Sequence, residues 1–310
     1  MSDIAFLFPG QGSQHKGMGK SLASEFSKAR LVFEEADEAL QFPISTICFQ
    51  GSEDDLKKTE NTQPALLAVS VAAYRVLEAE GIRPKLVAGH SLGEYSALVA
   101  AGGLAFRDAI RLVRIRGQYM QEAVPQGLGA MAALLKLPEG TLDRVLSEAA
   151  QGEIVTAANF NSPDQIVIAG HAKAVERAME LAKAAGARRV ILLPVSAPFH
   201  CPLMIPAQEQ MRPALRATHF SDLEVPLINN WQARLVTTAQ DALNGLEEQI
   251  PNPVQWTETI HEVSRRGAGR FIEVGPGTVL SGLCRNIDSS LKGAKFGDPA
   301  DLNGVKSLLT

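Results

Sequence analysis

The chain has 310 residues, which is enough for one large α/β domain with a smaller insert. Hydrophobic residues make up 45% of it and charged residues 21%, a balance typical of a water-soluble globule. Its net charge of −4 argues against general nucleic-acid binding, which requires a basic surface. No apolar run approaches the roughly 20 residues that cross a bilayer, and the opening residues lack the basic region of a signal peptide. The three cysteines lie far apart, without CxxC or metal-ligand spacing, which predicts reduced thiols in a cytoplasmic protein and suggests no metal. We also expect no cofactor.

The first part of the chain predicts strand–loop–helix units. An apolar run at residues 4–8 predicts a strand, residues 9–14 (PGQGSQ) a glycine-rich loop, and residues 21–40 a helix. The next helix is expected to end at Gly81 and to carry Pro64 in its first turn, where a missing N–H costs little.

The middle of the chain has a different order of predicted strands and helices. After a strand at 86–88 and helices that end with one over 106–123, residues 127–196 read as β-α-β-β-α-β, the order of a ferredoxin-like unit. Its position predicts an inserted small subdomain, with residues 1–126 and 197–310 forming the large core. The repeated strand–loop–helix units predict an α/β fold for that core, with a mostly parallel sheet and helices on both faces.

GHSLG at residues 89–93 fits the G-x-S-x-G nucleophile elbow, and it lies between a predicted strand and a predicted helix, as that motif requires. The turn would present Ser91 Oγ to helix N–H groups that favour a developing oxyanion. A chance match to so short a pattern is the alternative. With strand and helix in place, we interpret Ser91 as a nucleophile.

A serine nucleophile needs a base. Adjacent residues on a sharp elbow point apart, so His90 is expected to pack beside the site rather than to act on Ser91. His200 follows a predicted strand and lies between prolines that stiffen its loop, which suits a base; a hydrogen-bonded structural histidine is the alternative. No acidic residue stands out as a third triad member. The loop at 247–256 offers backbone carbonyls that can orient the imidazole, so a dyad is predicted.

Arg116 projects from the apolar side of the helix over 106–123, opposite Arg107, Arg111 and Arg114, which share an ordinary solvated face. A buried guanidinium requires a partner. The partner is either an internal carboxylate, or solvent reached by snorkelling, or a substrate carboxylate held by two parallel hydrogen bonds.

The PGQGSQ loop lacks the GxGxxG and P-loop patterns of phosphate-binding loops. A better use for it is an oxyanion hole, in which the backbone N–H of Gln11 opposes that of Leu92.

With these residues the chain resembles the malonyl-CoA:acyl carrier protein transacylases of dissociated (type II) bacterial fatty acid synthesis, over essentially its whole length. The motifs that carry the resemblance, in order, are FPGQGSQ, TQPALL, GHSLGEYSAL, RGQYMQ, NFNSPDQIVIAG, PFHCPLM, NPVQW and EVGPGTVL. The resemblance implies a hydrolase-like core with a ferredoxin-like insert. It also implies ping-pong transfer of malonyl from malonyl-CoA to the phosphopantetheine thiol of holo acyl carrier protein.

The resemblance also implies roles for individual residues. Ser91 corresponds to the acylated serine and His200 to its base, Gln11 and Leu92 to the oxyanion donors, and Arg116 to the carboxylate clamp. Gln249 corresponds to the position whose carbonyl orients the histidine, and Asn159 and Asn161 to positions near the pantetheine path.

Two other classes compete with this interpretation. One is a serine esterase or thioesterase of the α/β-hydrolase class, which would want an acidic triad member. The other is a non-catalytic docking subunit that keeps the fold. For the transacylase we expect a monomer whose basic surface binds the acidic carrier protein, through Lys183, Arg188 and Arg189 or through Arg265 and Arg266.

Overall fold

Strands of the chain gather into two separate sheets in the computed structural model, which describes residues 3–195 and 197–310. The strands are β1 (Asp3–Phe8), β2 (Leu86–Gly89), β3 (Gly129–Leu135), β4 (Val155–Ser162), β5 (Gln165–His171), β6 (Arg189–Leu192), β7 (Leu227–Ile228), β8 (Leu235–Val236), β9 (Ala268–Val274) and β10 (Lys292–Phe296). The helices are α1 (Lys20–Glu25), α2 (Ser27–Leu40), α3 (Ile44–Gln50), α4 (Glu53–Lys57), α5 (Thr59–Ala79), α6 (Gly93–Ala100), α7 (Phe106–Glu122), α8 (Leu142–Ala150), α9 (Ala172–Ala184), α10 (Ile205–Ala217), α11 (Ala239–Glu248), α12 (Trp256–Arg265), α13 (Val279–Ile287) and α14 (Leu302–Leu309).

The larger sheet has the order β10-β9-β1-β2-β7-β8, and all of its pairs are parallel except β7 with β8. Alternate residues of β1 enter different hydrophobic clusters. Phe6 and Phe8 pack with the cluster that contains α2, α5 and α6, whereas Ala5 and Leu7 pack with α12 and α13. Both faces of this sheet are therefore covered by helices, which confirms the predicted α/β fold with a mostly parallel sheet.

The smaller sheet is antiparallel, with the order β4-β5-β3-β6, and its elements follow one another as β3-α8-β4-β5-α9-β6. Helices α8 and α9 pack on one face of it. Met131, Ala133 and Val167 on the opposite face join the main core. A backbone bridge from Asn159 to Val254 ties β4 to the segment before α12, so the small sheet is fastened beside the large one.

Pro64 lies in the second turn of α5, which begins at Thr59, so the predicted first-turn position is wrong. Proline cannot donate to the carbonyl four residues earlier, that of Glu60. Arg114 Nη1 donates to this carbonyl instead, at 2.8 Å, and its guanidinium stacks 4.5 Å from the ring centre of Phe42. A side chain from α7 thus replaces the hydrogen bond that the proline cannot make. Arg114 is therefore half-buried and not part of a solvated face.

Other local predictions also needed correction. The helix predicted over 21–40 is interrupted at Phe26, whose backbone is extended. The strand expected in VPLIN contains two paired residues, whereas the helix over 106–123 is confirmed as α7. Among the residues described, no helix combines the length and apolar character that crossing a bilayer requires.

Candidate active site

The turn between β2 and α6 holds Ser91 in a left-handed backbone conformation, with φ at +51°. Residues other than glycine rarely adopt this backbone conformation, and such strain is characteristic of functional turns. Two close approaches fix the turn. A Cβ on Gly93 would lie 2.2 Å from the carbonyl oxygen of Phe8, and one on Gly89 would lie 2.0 Å from that of Gly93. The glycines therefore let α6 start directly against β1 and β2, with Ser91 at the carboxyl edge of the sheet.

His200 faces Ser91 from the loop before α10. Its Nε2 lies 2.8 Å from Ser91 Oγ, and its Nδ1 lies 2.8 Å from the backbone oxygen of Gln249. A carbonyl only accepts, so Nδ1 carries the proton and Nε2 is left to accept the serine proton. The structure thus brings Ser91, His200 and the Gln249 carbonyl together in the order that the predicted dyad requires.

The imidazole of His200 is 3% exposed. Burial, reinforced by the positive charge of Arg116, lowers the pKa of His200 to about 3. The ring is therefore neutral at physiological pH and free to take up a proton.

Arg116 is 1% exposed and reaches the same point from α7. Its Nη1 donates to Gln63 Oε1 and its Nη2 to Gln249 Oε1, both at 2.8 Å, and Nη2 also lies 3.2 Å from Ser91 Oγ. In the part of the chain that the structure describes, Arg116 forms no ion pair with a carboxylate, and its Nε has no acceptor. Of the alternatives open from the sequence, neither an internal salt bridge nor snorkelling to solvent applies.

A cavity of about 1220 Å³ opens onto these side chains, between the small sheet and the core. Residues that line it at its catalytic end include Gln11, Ser91, Arg116 and His200, and the small sheet contributes Met131, Asn159 and Asn161. The described residues contain no group of three His, Cys, Asp or Glu that could hold a metal ion. The cavity thus joins a serine, a neutral imidazole and an unpaired guanidinium.

The acyl transferase domain family matches residues 5–303. The malonyl CoA-acyl carrier protein transacylase of Bacillus subtilis (strain 168) is 49% identical over 300 residues, which cover 96% of this chain and 95% of the relative. That of Escherichia coli (strain K12) is 46% identical, over 99% of this chain and all of the relative. This chain belongs to the malonyl CoA-acyl carrier protein transacylase family.

Solved structures of the family agree over the whole fold. An acyl carrier protein S-malonyltransferase from Vibrio cholerae matches with a TM-score of 0.95 at 46% identity, covering 98% of this chain and 100% of that chain. A malonyl-transacylase solved in complex with a type II polyketide acyl carrier protein matches with a TM-score of 0.96 at 46% identity, covering 99% of each chain.

For an acyl transferase, the placement of Gln11 and Leu92 is informative. Leu92 directly precedes α6, and Gln11 lies in the loop after β1 and lines the cavity. Neither backbone N–H has an acceptor among the residues described. Neither donor is therefore occupied by another described residue, and their role as the oxyanion donors stays a prediction.

Asn159 and Asn161, both on β4, line the same cavity as Ser91 and His200. Asn159 is buried and lines the cavity. Asn161 Oδ1 lies 2.8 Å from His90 Nε2, and the His90 ring meets that of Trp256 edge-on at 5.4 Å. His90 thus packs beside the site, and its ring makes no hydrogen bond to Ser91, in agreement with its predicted role.

Three residues of this transacylase site were missed from the sequence: Gln63, Glu94 and Asn230. Gln63 binds Arg116, and Asn230 Oδ1 accepts the backbone N–H of Ser91 at 2.6 Å. Glu94 is 1% exposed, and burial raises its pKa to about 8. Glu94 could have been found, since it is an acidic residue in an otherwise apolar helix; Gln63 and Asn230 carry no comparable signal.

Proposed function

We propose that this chain transfers the malonyl group from malonyl-CoA to the phosphopantetheine thiol of holo acyl carrier protein, by a ping-pong mechanism through a malonyl ester on Ser91. The observation that carries this proposal is the position of Arg116. A buried guanidinium without a carboxylate partner lies 3.2 Å from the nucleophilic oxygen of a Ser–His dyad. An acyl group that ends in a carboxylate satisfies this cation while its carbonyl lies at the serine.

In the first half-reaction, Ser91 Oγ attacks the thioester carbonyl of malonyl-CoA while its proton passes to His200 Nε2. The tetrahedral oxyanion accepts hydrogen bonds from the backbone N–H groups of Gln11 and Leu92. The C–S bond then breaks, and the sulfur of CoA leaves with the proton held by His200. The malonyl ester of Ser91 remains, with its carboxylate on Arg116.

In the second half-reaction, the thiol of the carrier protein gives its proton to His200 Nε2, and its sulfur attacks the ester carbonyl. The same oxyanion donors stabilise the intermediate. Ser91 Oγ leaves and recovers the proton from His200. Because Arg116 holds the far end of the acyl group, the carbonyl presents a fixed face to a thiol that enters along the cavity. Asn159 and Asn161 contact the pantetheine arm; their position on the cavity wall supports this role.

The carrier protein is acidic, and we place its docking surface at Arg188 and Arg189. Both are exposed, and neither side chain meets a carboxylate among the described residues. Lys183 is paired with Glu180, and Arg265 and Arg266 are both paired with Glu262. Unpaired cations are the ones whose field a partner can use.

We further propose that residues 1–126 and 197–310 form a hydrolase-like core and residues 127–196 a ferredoxin-like insert. The supporting features are the mostly parallel sheet with helices on both faces and the strand order β4-β5-β3-β6 of the antiparallel sheet. The enzyme acts as a cytoplasmic monomer without a metal or cofactor, malonyl-CoA being its substrate.

Intact-mass spectrometry after brief mixing with malonyl-CoA tests the function. We expect a malonyl adduct that maps to Ser91, disappears when holo carrier protein is added, and is absent from Ser91→Ala; acetyl-CoA serves as the control substrate. Steady release of free CoA without an acceptor thiol would indicate the esterase or thioesterase alternative. No adduct and no CoA would indicate a docking subunit without chemistry.

A further inference from the structure

Glu94 is a buried carboxylate at the start of α6, three residues after Ser91, and the steps above do not use it. Its Oε2 accepts hydrogen bonds from Gln249 Nε2 at 2.8 Å and from the backbone N–H of Asn230 at 3.1 Å. A buried carboxyl group is unfavourable unless it is hydrogen-bonded. Both of these bonds lead to the active site.

The bond to Gln249 leads to the substrate clamp. The side-chain amide of Gln249 donates to Glu94 through Nε2 and accepts from Arg116 Nη2 through Oε1, at 2.8 Å each. A carboxylate accepts and a guanidinium only donates, so the amide has one allowed orientation between them.

The backbone of Gln249 is held separately. Its N–H donates to the carbonyl of Gly245 at 3.0 Å, at the end of α11, and its own carbonyl faces His200. A change in the Gln249 side chain therefore leaves the support of the imidazole in place. The side chain and the backbone of one residue thus serve different parts of the site.

We propose that Glu94 is a positioning residue that sets Arg116 for the carboxylate of the acyl group, acting through the side chain of Gln249. This inference rests on the proposed malonyl transfer. Without Glu94, Gln249 Nε2 keeps only its long contact with the Ser91 carbonyl at 3.4 Å, so the amide is held less firmly and its Oε1 is less well fixed as an acceptor for Arg116. The value of kcat/KM should therefore fall more for substrates that need Arg116 than for acetyl-CoA.

The test compares kcat/KM for malonyl-CoA with that for acetyl-CoA. Glu94→Leu removes the acceptor at similar size, and we expect it to lower the malonyl-to-acetyl ratio by roughly 10- to 100-fold, mainly through KM for malonyl-CoA. Glu94→Gln keeps an acceptor oxygen for Gln249 and Asn230, and we expect a ratio close to that of the parent. Any effect through Asn230 and the Ser91 backbone changes both substrates alike, so the ratio isolates the path through Gln249.

Glu273→Leu is the matched control. Glu273 is fully buried and accepts the backbone N–H groups of Leu280 and Ser281 at α13, so its loss should cost stability and leave the ratio unchanged. Gln249→Leu should lower the ratio as Glu94→Leu does, and the double variant should lower it no further. Equal losses for both substrates in Glu94→Leu, or independent losses in the double variant, would overturn the proposal.

Two further outcomes keep the test decisive. If Glu94→Leu does not fold, an unchanged ratio in Gln249→Leu overturns the inference, since the amide then has no influence on Arg116. If the parent chain transfers no malonyl group, the proposed function fails instead of this inference.

Discussion

At the scale of single residues, the positive charge of Arg116 bears on two features of the site. Arg116 has no carboxylate partner among the described residues, and its charge joins burial in lowering the pKa of His200. Ser91 and His200 both have left-handed backbones, with φ at +51° and +58°, and these unusual conformations bring Oγ and Nε2 within hydrogen-bond distance. The reacting atoms are thus placed by backbone strain and tuned by one neighbouring cation.

Arg116→Ala separates the two effects of that charge. Loss of charge-assisted hydrogen bonds to the carboxylate should lower kcat/KM for malonyl-CoA by roughly 100-fold. Transfer from acetyl-CoA should be spared or raised, because a charge that opposes protonation of His200 is removed. Kinetics with both substrates check this, with Arg107→Ala on the same helix as the control, since Arg107 pairs with Glu38 at the surface. Equal losses with both substrates would contradict the clamp.

His200 also makes a prediction about stability. The pKa of His200 is about 3 in the folded protein, whereas its ordinary value is 6.5. Between pH 3 and pH 6.5 the imidazole is therefore protonated in the unfolded chain and neutral in the folded protein. The free energy of unfolding should therefore fall as pH drops below about 6.5, by up to about 1.4 kcal/mol per pH unit from this residue. Burial raises the pKa of Glu94, which has the opposite sign, so only the difference between parent and variant isolates His200.

His200→Gln should remove that contribution, so that the parent loses stability relative to the variant as the pH falls. Urea unfolding at several pH values measures the difference, with the exposed His219→Gln as control. A gap between parent and His200→Gln that does not change with pH would show that the imidazole is protonated equally in both states.

At the scale of elements, the site depends on how closely α6 begins against β1. Gly93 leaves no room for a Cβ beside the carbonyl of Phe8, and that proximity positions both Ser91 and the N–H of Leu92. The contact joins two segments far apart in sequence, so the elbow is a tertiary feature as much as a local turn.

Gly93→Ala should therefore shift α6, lower the melting temperature and reduce transfer with malonyl-CoA and acetyl-CoA alike. Gly304→Ala is the control, because Gly304 lies in α14 with open space around a Cβ and should be neutral or stabilising, by about 1 kcal/mol at most. Thermal unfolding and acyl transfer measure the two effects. Full activity in Gly93→Ala would show that the elbow tolerates displacement.

Prediction from sequence succeeds here where one segment contains its own signal. The elbow glycines, the prolines around His200 and the position of Arg116 on an apolar helix face are all local patterns. The place of Pro64 inside α5 could not be predicted, because Arg114 from another helix satisfies the carbonyl that the proline leaves free. Gln63 and Asn230 were missed for the same reason, since each acts on a residue far along the chain.

At the scale of the whole molecule, the two sheets form different sides of the cavity. The large sheet holds Ser91, and loops and helices around it supply His200 and Arg116; the antiparallel sheet closes the other side of the cavity. An acceptor that enters this cavity must meet both parts. The charges around the antiparallel sheet therefore bear on which macromolecule delivers the thiol.

Reversing the charge of Arg188 and Arg189 together, to Glu, should raise KM for holo carrier protein several-fold. The rate at which malonyl-CoA acylates Ser91 should stay unchanged, because these side chains lie outside the catalytic contacts. Arg265→Glu with Arg266→Glu is the matched control, since both arginines are already paired with Glu262. A larger effect in the control pair would move the docking surface to α12.

The carbonyl behind His200 has a consequence for the choice of acceptor. A carbonyl stabilises the imidazolium less than a carboxylate would, so His200 is a modest base that favours acceptors which release a proton readily. A thiol ionises near pH 8.5, whereas water does so near 15.7, a difference of about seven powers of ten. The site therefore exchanges one thioester for another with little bias in either direction. In the cell, net flow then follows the relative abundance of the two carriers.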